Sequence, residues 1–317
     1  PIGHRVSSVE VSIGIALSDD ILVTAADLLR AADIASYRAK SLGGATTVMF
    51  DHPMASESLA RIDLEVDLHN ALDQREIEPW YQPEIDLQTG EVRGIEVLMR
   101  WNRPGHGVVL PATFQAIAEE TGLIVALGQH IMEQTFRQVS AWERDGVLPV
   151  HMPISLNLSG RELRAADFVE TMERLLGTTQ VDPHRFRLEV TDSVSAVATQ
   201  TRTEVVQHLL GLGMQFTIDC YGVGSGLIEQ LRCVSADKVK VDRSFIGVSG
   251  GTEVDAVILK TVVDVASSIG VEVTVVGLDT EQQVTWAREA GCRSGQGSAF
   301  ADAMPASAIP AYLSARQ

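Results

Sequence analysis

Residues 216–226 combine an acid, a thiol and three glycines, a composition suited to a loop that binds a metal ion or a phosphate. The first half of the run is apolar and predicts a buried strand. Asp219 follows where that strand ends, so its carboxylate can reach a pocket above a sheet. Gly222, Gly224 and Gly226 allow positive φ and a close approach of the backbone to a ligand. An ordinary surface turn explains the same residues, so the interpretation depends on other positions.

Polar side chains suited to a metal ion recur within other predicted strands. Glu96, Asn157 and Glu189 each lie in an apolar run. Together with Asp219 they form a set of three carboxylates and one amide, the all-oxygen chemistry that Mg²⁺ or Mn²⁺ prefers. Taken singly, each is also explained as an outward-facing polar residue, and their order along successive strands is what favours a site.

Lys240 is the candidate cationic group of the same site. It lies between two valines in a short run that predicts an inner strand, which favours a buried lysine over a surface one. The chemistry expected of the whole set is binding, and possible hydrolysis, of a phosphate-containing ligand.

These residues need a fold that brings strand ends together. From about residue 79, short β-rich runs alternate with helical stretches, which predicts parallel strands with crossover helices, and about eight repeats favour a closed barrel. The first two runs are separated by only a few residues around Gly90, too few for a crossover, so an antiparallel first pair is expected. The fold class predicted is therefore an irregular (β/α)8 TIM-type barrel. The predicted strands are 79–85, 92–101, 152–158, 185–191, 214–219, 238–242, 271–276 and about 292–295.

The first 78 residues follow a different pattern. Residues 9–16 alternate as a strand, 28–40 form an amphipathic helix, and 46–50 predict a second strand, so an N-terminal α/β fragment is expected. Leucines recur with helical spacing between residues 56 and 73 and predict a connecting helix. The domains predicted are an N-terminal fragment at 1–50, a connecting helix at 51–78 and a barrel at 79–317.

Composition limits the classes of function. The chain has 317 residues and 45% hydrophobic content, enough for a full core, and it contains no apolar run long enough to cross a bilayer. Three unpatterned cysteines favour a reducing compartment, and we expect a cytoplasmic protein without an export signal. A formal charge of −17 argues against duplex nucleic acid as a partner.

The barrel motifs together resemble the EAL domain of cyclic di-GMP phosphodiesterases. The matching segments, in order, are 81–83, 96–101, 119–124, 157–159, 189–191, 240–245 and 296–297. The resemblance implies a pocket for cyclic di-GMP. It implies that Glu96, Asn157, Glu189 and Asp219 are ligands of a first metal, and that Lys240 and Asp279 are catalytic. It further implies that Gln82, Arg100 and Gln296 contact the nucleotide.

Residues 1–50 resemble the C-terminal part of a GGDEF domain, through the strand sequence VSIGIA and the helix sequence YRAK. The loop that gives the GGDEF family its name is absent from this sequence. No cyclase activity is therefore expected of residues 1–50.

Departures from the EAL pattern affect the predicted mechanism. Where the family has two adjacent aspartates, this sequence has Asp219 followed by Cys220, a thiol that suits magnesium poorly. Val276 stands where the family has a glutamate, while Asp279 and Asp192 replace glutamates with shorter acids. One Mg²⁺ or Mn²⁺ at most is therefore expected.

Three functions stay open at this point. A nucleotide-sensing module is favoured by the retained binding residues, whereas a complete first-metal set allows a slow phosphodiesterase. An altered loop at 221–227 allows a protein-interaction scaffold that no longer binds nucleotide. A homodimer or a signalling protein is a possible partner in each case.

Overall fold

The fold was analysed in a computed structural model. The structure describes residues 11–19, 21–22, 24–42, 44–149, 151–191, 200–220, 236–242 and 253–316. The chain divides into two compact units, residues 1–70 and residues 71–317.

The N-terminal unit contains a pair of short parallel strands beside a helix. Strand β1 (Ile13–Ile15) pairs with β2 (Thr47–Met49), and α1 (Ala25–Ser41) lies between them in the chain. Thr24 begins α1 through a capping box, in which its side chain accepts from the amide of Asp27. Gly14 allows the close packing, because a Cβ there would overlap the backbone of α1 at Ala32 and Ser36.

Helix α2 (His52–Ala71) occupies most of the segment predicted as a connecting helix. It begins one residue after the predicted start of that segment, because the Asp51 carboxylate accepts from the Met54 amide and caps the first turn. After its end, Arg75 adopts a positive φ of 57° and turns the chain toward the first barrel strand.

The larger unit is a closed eight-stranded barrel. Its strands form a complete ring of pairings, in which each is parallel to its neighbours except the first, which is antiparallel to both. Short strands β5 (Gly107–Val109) and β12 (Met304–Pro305) extend the sheet outside the ring. The ring strands are β3 (Ile77–Asp86), β4 (Val92–Arg103), β6 (Ile154–Leu158), β7 (Phe186–Thr191), β8 (Gln215–Cys220), β9 (Lys238–Asp242), β10 (Glu272–Val276) and β11 (Ser294–Gln296).

Helices surround the barrel and cover the outward face of its strands. Aromatic pairs mark this contact: Tyr81 packs edge-on against Trp142, and Phe136 stacks on Phe186 at 4.0 Å between ring centroids. The helices of this unit are α3 (Pro111–Thr121), α4 (Leu123–Arg144), α5 (Phe168–Thr179), α6 (Gln200–Gly211), α7 (Glu253–Ser268), α8 (Glu281–Glu289) and α9 (Ile309–Ser314).

The turn between β3 and β4 has the tight connection predicted from the sequence. The Asp86 carboxylate accepts from the amides of Gln88 and Thr89, and Gly90 follows at φ 78°. The predicted barrel with an antiparallel first pair and an N-terminal α/β part is therefore confirmed. In the part of the chain that the structure describes, no helix is both long and apolar enough to cross a membrane.

Candidate functional site

Lys240 lies at the centre of the barrel interior. It is the middle residue of β9, where the neighbouring Val239 and Val241 are also buried, and only 2% of its surface is exposed. Its ammonium donates to Glu96 Oε2 on β4 at 2.8 Å and to Glu189 Oε2 on β7 at 2.6 Å. These strands are not adjacent to β9, so the two ion pairs cross the interior of the barrel.

Asn157 and Asp219 extend this group. Asn157 lies beside Glu189 in the β6–β7 pairing, and its amide donates to Glu96 Oε1 at 2.7 Å. Asp219 lies beside Lys240 in the β8–β9 pairing and is 9% exposed. The structure thus brings the predicted lysine together with all four predicted metal ligands, and we call Lys240, Glu96, Asn157, Glu189 and Asp219 the upper cluster.

Burial and charge act against each other in the upper cluster. Burial opposes the charge on Lys240, but the carboxylates of Glu189 and Glu96 outweigh it and raise the pKa of the lysine. Burial also opposes the charge on Glu96, but the nearby Lys240 ammonium lowers the pKa of that carboxyl below its usual value. Lys240 and Glu96 therefore form a charged pair at neutral pH.

The remaining two acids are harder to ionise. Burial raises the pKa of Glu189 to about 8, with Lys240 opposing the shift and the Glu96 charge adding to it. Burial also raises the pKa of Asp219 to about 6, again against Lys240, with further contributions from Glu96 and Asp242. One ammonium thus faces three acids, and a second cation would stabilise the ionised form of the other two.

The donor set suits a hard divalent cation. Carboxylate and amide oxygens are the ligands that Mg²⁺ and Mn²⁺ prefer, and Glu189 Oε1 is buried without a hydrogen-bond partner among the described residues. As the side chains lie, no three acidic, histidine or cysteine groups in the described ranges converge closely enough to hold an ion. The Lys240 ammonium occupies the position between Glu96 and Glu189, so an ion would share these carboxylates with the lysine.

The predicted nucleotide contacts lie around the same interior. Gln82 pairs with Glu96 across β3 and β4, and it accepts from the side chain of Gln296 at 3.1 Å. Gln296 Oε1 is buried without a hydrogen-bond partner among the described residues. Four residues beyond Glu96 on β4, the half-buried Arg100 lies over the Trp80 ring at 5.8 Å from its centroid. Two amides and a guanidinium therefore line the interior near the acids.

Asp279 is not among the residues that these hydrogen bonds link. It lies in the loop after β10, where its carboxylate accepts from Ser298 Oγ at 2.8 Å. Val276 ends β10 beside Asp242 and Gln296 in the sheet register. Asp192, the loop at 221–227 and the side chain of Cys220 lie outside the described residues.

A second buried group was missed by sequence reasoning. Lys238, two residues before Lys240, donates to Glu84 Oε1 at 2.5 Å, and Ser294 Oγ donates to the same oxygen. Thr274 Oγ1 also donates to it at 3.3 Å. The signal available was a second lysine in the valine-rich run of β9. We call Glu84, Lys238, Thr274 and Ser294 the lower cluster.

Comparisons with known proteins agree with this geometry. The sequence profile of the EAL domain matches residues 65–303. An uncharacterised protein of Sinorhizobium fredii, y4lL, is 34% identical over 97% of this chain and 36% of its own length. The bifunctional diguanylate cyclase/cyclic di-GMP phosphodiesterase MucR of Pseudomonas aeruginosa is 30% identical over 96% of this chain and 44% of its own. The chain thus spans less than half the length of these relatives.

A solved structure gives the same fold. The PaMucR phosphodiesterase in complex with cyclic di-GMP superposes with a TM-score of 0.73 at 30% identity, over 78% of this chain and 99% of that one. The matched profile covers residues 65–303, which is most of the sequence. The chain therefore belongs to the EAL domain family.

Proposed function

We propose that this chain is an EAL domain that binds cyclic di-GMP through at most one divalent cation and hydrolyses it slowly or not at all. The observation that carries the proposal is the upper cluster, in which three acids surround one buried lysine. An excess of acid over ammonium in a barrel interior costs stability, so its presence favours a functional role.

The proposed ion would be held by Glu96, Asn157, Glu189 and Asp219. When bound, such an ion polarises a phosphate oxygen and a water molecule. Lys240 holds Glu96 and Glu189 in place through its two ion pairs and contributes a positive charge toward a phosphate. Arg100, Gln82 and Gln296 supply hydrogen-bond donors for the nucleotide, and Arg100 can form a bidentate, charge-assisted contact.

Slow turnover is proposed because two acids of the family pattern are replaced. Cys220 follows Asp219 at the end of β8, and Val276 ends β10 beside Asp242. Neither a thiol nor an isopropyl group is a suitable ligand for a second magnesium ion. A slow phosphodiesterase is the second candidate, supported by the complete set of first-metal residues and by a relative solved as a phosphodiesterase complex with cyclic di-GMP.

Residues 1–50 are proposed to be the C-terminal part of a GGDEF domain. Support comes from the alignment with the bifunctional MucR, which spans 305 residues and so extends beyond the EAL match. The VSIGIA run contains β1, and the helix containing YRAK is α1.

The test is calorimetric titration of the chain with cyclic di-GMP in Mn²⁺ and in chelator, followed by chromatography of the same samples for linear product. Arg100→Ala should weaken binding by about 10- to 150-fold, because a charge-assisted hydrogen bond contributes about 1.5–3 kcal/mol. Arg103→Ala is the matched control, since Arg103 lies on the same strand over a different ring, that of Trp101.

Absence of any heat or thermal shift with the nucleotide would overturn the binding proposal and favour the scaffold. Rapid formation of linear product would overturn the proposal of slow or absent hydrolysis and support the phosphodiesterase candidate.

A further inference from the structure

The lower cluster is a closed arrangement of one acid and one ammonium. Glu84 on β3 and Lys238 on β9 are 4% and 3% exposed, and their ion pair crosses the barrel interior. The hydroxyls of Thr274 and Ser294 donate to the same Glu84 oxygen that the ammonium contacts. These three donors fix the direction of the carboxylate, and the charges of Glu84 and Lys238 cancel.

The lower cluster lies beside the proposed ion site. Lys238 and Lys240 are two residues apart on β9, and alternation along a strand places both on the interior face. The charge of Lys240 in the upper cluster also affects Glu84 in the lower cluster. Burial opposes the charge on Glu84, but Lys238 and, with a smaller effect, Lys240 lower the pKa of this carboxyl to about 2. Glu84 therefore stays ionised, and the net charge of the lower cluster is zero.

We propose that Glu84 is a positioning residue for the divalent-cation site, because it binds the Lys238 ammonium in the lower cluster and cancels its charge. The inference rests on the proposed function, since it concerns the same cation. Without Glu84, a second uncancelled ammonium would lie two residues along β9 from Lys240, in the same interior as Glu96, Glu189 and Asp219, and would compete electrostatically with the ion. Sequence reasoning assigned Glu84 no role.

The test measures Mn²⁺ affinity by electron paramagnetic resonance and calorimetry, without nucleotide, for the wild type and three variants. Glu84→Gln leaves the Lys238 charge uncancelled and should weaken Mn²⁺ binding about tenfold, in the range found for residues that support metal ligands. Lys238→Met removes the positive charge, so Mn²⁺ should bind as tightly as to the wild type or more tightly. The double variant Glu84→Gln/Lys238→Met should bind Mn²⁺ as the wild type does.

Weaker Mn²⁺ binding in Glu84→Gln but not in Lys238→Met separates this role from a structural one. Both changes break the same buried pair and lower the thermal stability, so a merely structural role would weaken Mn²⁺ binding in both. Equal weakening in both, or unchanged affinity in Glu84→Gln, would overturn the inference. If Glu84→Gln does not fold, Lys238→Met and the double variant decide: unweakened binding in both supports the inference, and weakened binding in either overturns it.

Failure of the proposed function gives a different result. A wild-type chain that binds no Mn²⁺ would remove the ion from the proposed function and overturn this inference with it. If the wild type binds Mn²⁺ and the Glu84→Gln variant binds it equally tightly, the inference is overturned while the proposed function stands.

Discussion

Lys238 and Lys240 lie two residues apart on one strand and are buried to a similar extent. They differ in the number of acids that surround each ammonium. Lys238 meets a single acid, and two hydroxyls complete the hydrogen bonding of that acid. Lys240 meets two acids directly and has a third beside it. The lower cluster is thus neutral, whereas the upper cluster contains more acid than its lysine can balance. The ratio of acid to ammonium, rather than burial alone, therefore distinguishes the candidate ion site from the neutral ion pair beside it.

The largest expected effect comes from introducing carboxylates at the ends of β8 and β10. Cys220→Asp combined with Val276→Glu should raise cyclic di-GMP turnover by about 100-fold or more, the scale of a restored catalytic group. Each single change should do little, because the other function is still missing. The measurement is linear product formed per minute in Mn²⁺, with thermal unfolding as the folding control.

A wild-type chain that already hydrolyses cyclic di-GMP at the rate of the double variant would identify Cys220 and Val276 as the wrong positions. The slow-phosphodiesterase candidate would then be preferred.

The next prediction makes the same isosteric change, from glutamate to glutamine, in each cluster and compares the losses in unfolding free energy. Glu84→Gln should lower the free energy of unfolding by about 3–5 kcal/mol, because it leaves Lys238 charged and buried without its acid. Glu189→Gln should cost only about 1 kcal/mol, since Glu96 still balances the charge of Lys240 and the introduced amide oxygen can still accept from the ammonium. Urea denaturation at pH 7 without metal measures both. Equal losses would show that the clusters do not differ in charge balance.

The pKa of a third buried acid, Glu162, is shifted in the opposite direction from that of Glu84. Glu162 accepts from the Ser159 amide at 2.7 Å, and burial raises its pKa to about 7, whereas Lys238 lowers that of Glu84 to about 2. A raised pKa in the folded state means that the stabilising contribution is complete below the unfolded value, near 4.5, and is lost as the pH rises through about 7.

Glu162→Gln should therefore gain stability relative to the wild type between pH 5 and pH 8, by about 2–3 kcal/mol at the upper end. Urea denaturation across this range measures the difference. A constant difference between the two proteins at every pH would contradict the assignment.

The smallest expected effect concerns the hydroxyls of the lower cluster. Thr274→Val should cost about 1 kcal/mol of unfolding free energy, because Glu84 loses one hydrogen-bond donor. Thr217→Val is the matched control: its hydroxyl is buried with no hydrogen-bond partner among the described residues, so its loss should be neutral or stabilising. Calorimetric unfolding measures both variants, and equal losses would contradict the assigned role of Thr274.

Much of the barrel could be predicted from local sequence. The observed bounds of β9 equal the predicted ones, and the position of Gly90 in a short connection predicted the antiparallel first pair. Alternation of valines around Lys240 also predicted its burial. Local patterns succeeded here because strand period and turn chemistry depend on neighbouring residues.

The lower cluster could not be predicted in the same way. Glu84 and Lys238 are 154 residues apart in sequence, and an acid in a strand is explained equally well by exposure to solvent. Only closure of the ring brings β3 and β9, three strands apart in it, to face one interior. For the same reason, Asp279 could be given a role by resemblance, while its contact with Ser298 depends on how two loops meet.

The reversed direction of β3 has a consequence for how the barrel is joined to other sequence. In a ring of parallel strands the first strand would begin at the end opposite the ligand pocket, but β3 begins where β4 ends, with Ile77 beside Trp101. Trp80, which Arg100 covers, is only three residues further along. The covalent entry to the barrel is therefore at the rim where the parallel strands end, which is the rim of the proposed ligand site. A tension or torsion applied to the chain before Ile77 would be transmitted directly to the wall of that proposed site.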